Sequence, residues 1–447
     1  MSDILEKTKK ELEKKAQKPG EDALLLHPYY KGKIETMVKC PIRSFDDFAI
    51  WYSPGVAAPC KNISNDKLQV FEHTNKGNSV AIVSDGSRVL GLGDIGPEAG
   101  LPVMEGKSLL FKYLGGVDAV PLMLDTKDKD EIIRFCKIIA PTFGGINLED
   151  IESPKCFDIL SELQQTLPIP VWHDDQQGTA LVVIAGLINS AKFVNKKFNK
   201  LKISLVGSGA ANVALVRLLE KAGMDIKNVV VVDSRGIINL QREDLQENKI
   251  KWNIAQQTNK DQLDGGIPES LQGSDVCIAL SKPGPDVIKP SWIKNMADNP
   301  IIFACANPVP EIWPWDAKTA GAAIIATGRS DFANQVNNSL GFPGLFRGAL
   351  DVRAQKLTDS MCLAAAYELA SYAEEQGLTE NKIIPNMNEI EVYAREAAAV
   401  GMKAIEEGIA QIRLDKTEIY ENALNIITRS RNITKNQMRN KFIKPAP

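Results

Sequence analysis

At 447 residues the chain is too long for one ordinary domain and suggests two or three, with 44% hydrophobic residues to fill a large core. A formal charge of −3 argues against a nucleic-acid surface, and seven dispersed cysteines with no C-x-x-C pair argue against a disulfide framework or zinc knuckle and for a reducing compartment. Three histidines are too few for a histidine-based metal centre, no stretch reads as a membrane span, and the Lys- and Glu-rich start resembles neither a secretory nor a mitochondrial leader, so a cytoplasmic protein is expected.

Residues 2–18 are charged and helix-prone, with Ile4, Leu5 and Leu12 on one side, and predict an exposed or dimer-contacting helix. Tyr52, before Ser53-Pro54-Gly55, is placed at a strand-to-turn transition, where core packing is its ordinary role and catalysis the alternative. A strand over 79–83 runs into the glycine-rich stretch 85–97. Arg88 within it either clamps a carboxylate with its guanidinium fork or ties down a surface loop. Lys107 opens a helix in an otherwise apolar stretch. Burial there disfavours the charged form and makes a lysine a base, whereas snorkelling to the surface is the commoner fate.

A buried strand over 118–124, a helix over 131–140 and a strand over 144–148 follow, the last ending in Glu149-Asp150. The next strand ends at His173 in a second acidic pair, Asp174-Asp175, before a buried helix over 179–195. Each pair alone reads as helix capping. Together, at the ends of consecutive parallel strands, they converge on one crevice, where three carboxylates with ligand and water oxygens make an octahedral site for Mg²⁺ or Mn²⁺.

A strand over 202–206 leads into Gly207-Ser208-Gly209-Ala210-Ala211-Asn212 and a helix over 213–222, a G-x-G-x-x-N form of the dinucleotide fingerprint. The strand over 229–232 ends in Asp233, about 26 residues after Gly207 and close to the ~20 expected for a ribose-binding acid. Asp233 suits a free 2′-hydroxyl, whereas Ser234 and Arg235 suit a 2′-phosphate. The cofactor is therefore NAD or NADP, with Ser234-Arg235 tilting toward NADP. Strands over 274–280, 301–306 and 323–327 end in small or polar residues. Asn307 and Asn338 either bind a substrate carboxylate or serve as turn residues. Alanine-rich amphipathic helices over 347–376 and 388–412 and a basic tail are expected to pack back onto the first domain. The fold class is α/β: an N-terminal α/β substrate domain (1–170), a Rossmann-like doubly wound dinucleotide-binding domain (171–385) and a C-terminal helical segment (386–447).

Six blocks in this order resemble the malic enzymes over roughly residues 25–415, nearest their small-subunit bacterial and archaeal type. They are Tyr52-Ser53-Pro54-Gly55-Val56, the stretch 84–94, Glu105-Gly106-Lys107, Leu148-Glu149-Asp150, the stretch 173–180, and Thr327-Gly328-Arg329-Ser330-Asp331. The resemblance implies oxidation and decarboxylation of L-malate to pyruvate and CO₂ with NAD or NADP and Mn²⁺ or Mg²⁺. It implies Glu149, Asp150 and Asp175 as metal ligands, Lys107 as base with Asp174 beside it, Tyr52 as acid, and Arg88, Asn307 and Asn338 as substrate clamps. A homodimer is expected. Asn212 departs from the Gly or Ala common in dinucleotide turns. Two rivals are a metal-independent 2-hydroxy-acid or amino-acid dehydrogenase, against which the acidic pairs count, and a catalytically silent dinucleotide-binding regulator, against which the intact Tyr52, Lys107 and acids weigh.

Overall fold

Parallel strands need crossovers, and here the crossovers are helices that cover both faces of two successive sheets. The computed structural model describes residues 2–447, and the side chains of these except residues 2–10, 12 and 15. The expected apolar side of the first helix, Ile4, Leu5 and Leu12, therefore lies outside the described side chains. That helix, α1 (Ser2–Tyr30), runs past residue 18 and through Pro19 and Pro28.

The first sheet holds β1 (Ser79–Ser84), β2 (Asp118–Met123), β3 (Gly145–Leu148) and β4 (Val171–His173) in the order β2-β1-β3-β4, all parallel. Val83 pairs with Leu148 and Leu148 with His173, so the loops after β1, β3 and β4 leave the sheet side by side. β1 and β3 are fully buried, as strands covered by helices on both faces are, with Asn147 the one polar side chain inside β3. β2 is not the buried strand its sequence suggests: it is the sheet edge, with Val120 42% exposed, because no strand lies beyond it.

Three helices of this domain matter for the site: α2 (Gly96–Gly115), α3 (Lys129–Ile139) and α4 (Lys155–Thr166). α2 starts at Gly96, earlier than the expected opening near Met104, with proline in its first turn. It stops at Gly116, whose φ of 64° provides the left-handed cap. Met104, Lys107, Phe111 and Leu114 fall at helical spacing on its buried stripe, so Lys107 is held inside rather than snorkelling out.

α5 (Thr179–Phe193), almost wholly buried, carries the chain to the second sheet. That sheet comprises β5 (Ile203–Val206), β6 (Val229–Asp233), β7 (Gly236–Ile237), β8 (Val276–Ala279), β9 (Ile301–Ala304) and β10 (Ile324–Thr327). Its order is β10-β9-β8-β5-β6-β7, parallel except for the two-residue β7. This is the doubly wound dinucleotide-binding order with its third strand reduced to an antiparallel stub, and it reverses direction between β5 and β8. α6 (Ala210–Lys221) follows β5 directly.

The expected helix over 347–376 is two: α7 (Phe342–Asp351) and α8 (Asp359–Glu375). Arg353 at φ 47° breaks the run, and the Thr358 hydroxyl accepts from Met361 N–H to start α8. α9 (Ile390–Glu406) and α10 (Lys416–Arg439) complete the chain, α10 opening with a reciprocal Asp415–Glu418 capping box. These helices do return to the first domain. Phe342 and Phe346 of α7 stack around Phe111 at 4.5 and 5.3 Å between ring centroids, and the Ser430 hydroxyl of α10 donates to Lys112 O at 2.7 Å. One apolar cluster thereby spans α2, α5, the second sheet and α7–α9. Among the described residues no helix is long and apolar enough to cross a membrane.

The turn that feeds β3 is fastened by one buried cation. Lys76 Nζ donates to the carbonyls of Ala140, Pro141 and Phe143 at 2.7–2.8 Å, closing the C-terminal end of α3. Lys76→Met should cost roughly 1–3 kcal/mol by leaving these carbonyls without a donor. Thermal denaturation checks it, and an unchanged transition would show that water replaces the ammonium freely.

Candidate active site

The C-terminal ends of both sheets open on a shared cavity of about 650 Å³. On one wall stand Arg88, Lys107, Glu149, Asp150 and Asp175; on the other, Gly209, Ala210, Ser281, Asn307 and Asn338.

The acidic groups meet because β3 and β4 are adjacent and level. Glu149, Asp150 and Asp175 each offer a carboxylate oxygen within 4.8 Å of the others. Asp150 N–H donates to Asp175 Oδ2 at 2.8 Å, which locks the two strand tips together. Asp150 sits at φ 53°, a left-handed conformation uncommon outside glycine, at the point where its side chain must turn to the cluster. After β4 the backbone makes a single π-helical turn, Asp174–Gly178, before α5. Such turns re-aim side chains, and here Asp174 and Asp175 part company: Asp175 joins the cluster while Asp174 turns to Lys107.

Burial pushes the carboxyls of Glu149, Asp150 and Asp175 above their usual range, Asp150 to about 8, and repulsion from neighbouring acids adds to this in Glu149 and Asp150. Asp150 Oδ2 is buried without a hydrogen-bond partner. Three crowded hard oxygens, one of them orphaned, fit a divalent cation, which relieves both the repulsion and the missing partner.

Lys107 Nζ stands 2.5 Å from Asp174 Oδ2 and 3.0 Å from Glu149 Oε1, over the ring of Phe342 at 4.4 Å. The other Asp174 oxygen accepts Trp172 Nε1–H at 3.1 Å. Burial works against the ammonium, as its apolar setting suggests. Asp174, Glu149 and Asp175 outweigh that effect and raise the Lys107 pKa instead. The expected lowering is thus corrected by acids that lie far off in sequence, Asp174 being 67 residues away.

Arg88 is exposed on the glycine-rich loop and lines the cavity. The loop itself is anchored by Asp85, which accepts from Ser87 and Lys155, and by Arg88 N–H on Asp150 O. It touches the second domain at Gly91, where any side chain would strike Pro283 and the Asn307 carbonyl. Asn307 and Asn338 both reach the cavity, whereas the amide of neighbouring Asn337 is engaged with Gly328 O and Ser339 N–H. Tyr52 is not brought to this cavity within one chain. It caps a short helix, Asp47–Trp51, rather than ending a strand, and is 74% exposed.

On the dinucleotide side, Gly207 at φ 107° lies against the Leu280 carbonyl, a position closed to other residues. Gly209, Ala210 and Ala211 present the start of α6 to the cavity, an arrangement suited to a pyrophosphate. Asn212 has a purpose that glycine could not serve: its buried amide donates to the carbonyls of Val206 and Gly207, bracing the turn. Asp233, Ser234 and Arg235 lie at the end of β6, one strand over.

Two residues escaped the sequence reading. Lys33 lines the cavity while its Nζ donates to Pro102 O. Glu311 is fully buried and accepts from Ser281 N–H and Ala306 N–H, both at 2.9 Å. It ties the loops after β8 and β9, which carry Ser281 and Asn307. A buried glutamate in a Pro-rich stretch, Asn307-Pro308-Val309-Pro310-Glu311, was the available signal.

The family description "Malic enzyme, N-terminal domain" matches residues 31–164, and "Malic enzyme, NAD binding domain" matches residues 176–405. The chain is 49% identical to the NAD-dependent malic enzyme of Geobacillus stearothermophilus over 380 residues, covering 85% of this chain and 78% of that one. It is 41% identical to the NADP-dependent malic enzyme of Halomonas elongata, over 85% of this chain and 92% of the relative. The crystal structure of Entamoeba histolytica malic enzyme superposes with a TM-score of 0.95 at 46% identity, covering 97% of this chain and 91% of the other.

Glu311→Gln puts an amide donor where two backbone N–H groups need acceptors. It should cost roughly 1–3 kcal/mol and raise KM by displacing Asn307. Melting and steady-state kinetics check both effects, and an unaltered KM would reject the positioning role.

Proposed function

Because the chain belongs to the malic enzyme family, we propose that it oxidises and decarboxylates L-malate to pyruvate and CO₂, passing hydride to a nicotinamide dinucleotide. The observation that carries the reading is the ammonium of Lys107 set 3.0 Å from a cluster of three carboxylates, across the cavity from a dinucleotide turn.

Glu149, Asp150 and Asp175 would hold Mn²⁺ or Mg²⁺, whose charge offsets the acids and polarises a bound oxygen. Arg88, with the amides of Asn307 and Asn338, binds the substrate carboxylates and fixes C2 toward the nicotinamide. Lys107 takes the C2 hydroxyl proton as the hydride leaves, after releasing its own extra proton to solvent; a cation held by the three acids would favour that neutral amine by offsetting the charges that otherwise keep it protonated. Asp174 orients the Lys107 amine and is itself held by Trp172. Loss of the C4 carboxylate then leaves electron density at C3 that a proton must quench, the part assigned to Tyr52. A metal-independent dehydrogenase has no use for the acid cluster, and one CO₂ per nicotinamide reduced separates the two readings.

Tyr52 sits among exposed Phe45, Phe48, Ile50, Trp51 and Val56, an apolar face too large to leave in water. A two-fold homodimer that buries this face would bring each Tyr52 to the cavity of the other copy, since an isologous interface exchanges the same patch in both directions.

Lys107→Ala should abolish malate oxidation and leave dinucleotide binding intact. Mixed with Tyr52→Phe subunits, it should regain about a quarter of wild-type turnover, because half the dimers are mixed and each has one intact site. No recovery on mixing would place the acid within the same chain or elsewhere. Asp175→Ala should weaken Mn²⁺ by more than about 100-fold, as outer partners of a metal alone contribute about 10–100-fold. An unchanged Mn²⁺ titration by calorimetry would reject Asp175 as a ligand.

A further inference from the structure

Glu105 and Arg329 belong to the shared sequence blocks, yet neither lines the cavity and the chemistry above uses neither. They stand in different domains and hold opposite ends of one element, α1. Arg329 follows β10, and its Nη2–H donates to the Ala16 carbonyl at 2.6 Å. Glu105 lies on α2. Its Oε2 accepts Lys33 N–H at 3.2 Å, just past the end of α1, and its carboxylate lies against Gly32, where a Cβ would come within 3.1 Å of it. Gly32 takes φ 109°, a conformation closed to most residues. From Ala16 to Tyr30 the helix rises about 21 Å, so α1 reaches from one domain to the other.

Each end is coupled to a cavity wall. On the second-domain side, Arg329 Nη1–H donates to the Pro308 carbonyl at 2.5 Å, while Nε and Nη2 grip Asp331 at 2.9 and 2.8 Å. Pro308 is the residue after Asn307. Gly328, just before Arg329, lies so near that a Cβ would come within 2.9 Å of the Asn307 amide nitrogen. On the first-domain side, Lys33 lines the cavity, and its Nζ–H donates at 2.8 Å to the carbonyl of Pro102, on the helix that carries Lys107. The end of α1 is also tied to the tail of the chain. The Tyr29 and Tyr30 hydroxyls donate to the carbonyls of Pro445 and Lys444 at 2.9 and 3.0 Å. Between these fastenings, residues 17–21, Leu24 and Leu25 are exposed. A helix gripped at its ends and open between them is a strap, not part of a core.

We propose that α1 is an interdomain strap, with Arg329 and Glu105 as its positioning residues, and that it sets malate affinity by fixing the distance between the cavity walls. The proposal rests on the malate reading above for the role of Asn307. A dicarboxylate held by Arg88 from one domain and by Asn307 from the other fits at one spacing of the walls, and a displacement of about 1 Å there is felt strongly.

A double-mutant cycle tests the strap. Arg329→Lys removes the guanidinium fork that joins Ala16 to Pro308. Gly32→Ala strains the turn at the far end and pushes it from Glu105. Each should raise KM for malate about fivefold or more with kcat held within about twofold, and the two together should do no more than the stronger alone, because a strap released at one end is already released. Sites this far apart that act independently would multiply their effects. Multiplied effects, or a lowered melting temperature with KM unchanged, would overturn the proposal. Hydrogen exchange reads the strap without turnover: in each single variant the α1 amides at the end left intact should exchange about tenfold faster or more. Unchanged exchange there would overturn it as well. Faster exchange in the variants, with no malate-dependent turnover by the wild type, would instead remove the malate reading beneath it.

Discussion

One lysine ammonium set among four acids is the constraint around which this fold is arranged. Glu149, Asp150, Asp174 and Asp175 are drawn from two strand tips, and burying them together is costly unless each charge finds an answer. Lys107 answers Glu149 and Asp174, which Asn147 and Trp172 also serve, the Asp150 amide answers Asp175, and one oxygen of the Asp150 carboxylate is left for a cation to answer. The arrangement demands adjacent parallel strands of equal height, since only then do consecutive loops reach one point. It also demands a helix whose buried stripe carries a lysine, which α2 provides.

The second domain contributes by closing that point from above. The chain crosses through α5, whose first turn grows out of the acidic π-turn, so the backbone that carries Asp174 and Asp175 and the interdomain helix are one continuous piece. Gly91 lets the arginine-bearing loop touch Pro283 and Asn307, and Glu311 holds the loops after β8 and β9 together. The helices α7 to α10 then wrap back around α2, so that Lys107 is backed by Phe342 rather than by solvent. A cavity built from both domains has walls that each depend on packing elsewhere in the chain.

Electrostatic roles in this protein are decided by partners more than by residue type. Lys107 lies in an apolar helix and yet is held charged; Asp233 occupies the place of a ribose ligand and yet is saturated by Arg242 and Lys251. In both cases the residue fits its motif, and its available chemistry differs from what the motif alone suggests. Asn212 follows the same rule in reverse: it departs from the usual glycine and braces the turn that the glycine would have left loose.

The order of strands and helices, the two sheets, the dinucleotide turn and the pairing of the acidic elbows were legible in the sequence. Each rests on local signals: apolar runs, glycines at tight turns, and carboxylates placed just past strand ends. The family blocks were legible for the same reason, being short and contiguous. What the tertiary structure decided were quantities set by neighbours distant in the chain: the edge position of β2, the break between α7 and α8, the raised pKa of Lys107, the saturation of Asp233, the role of Glu311 and the exposure of Tyr52. A pattern along the chain reports which face a residue turns toward its own element. Coulomb and hydrogen-bond energies fall off over a few ångströms in space, so the groups that tune a side chain are known only once folding has placed them.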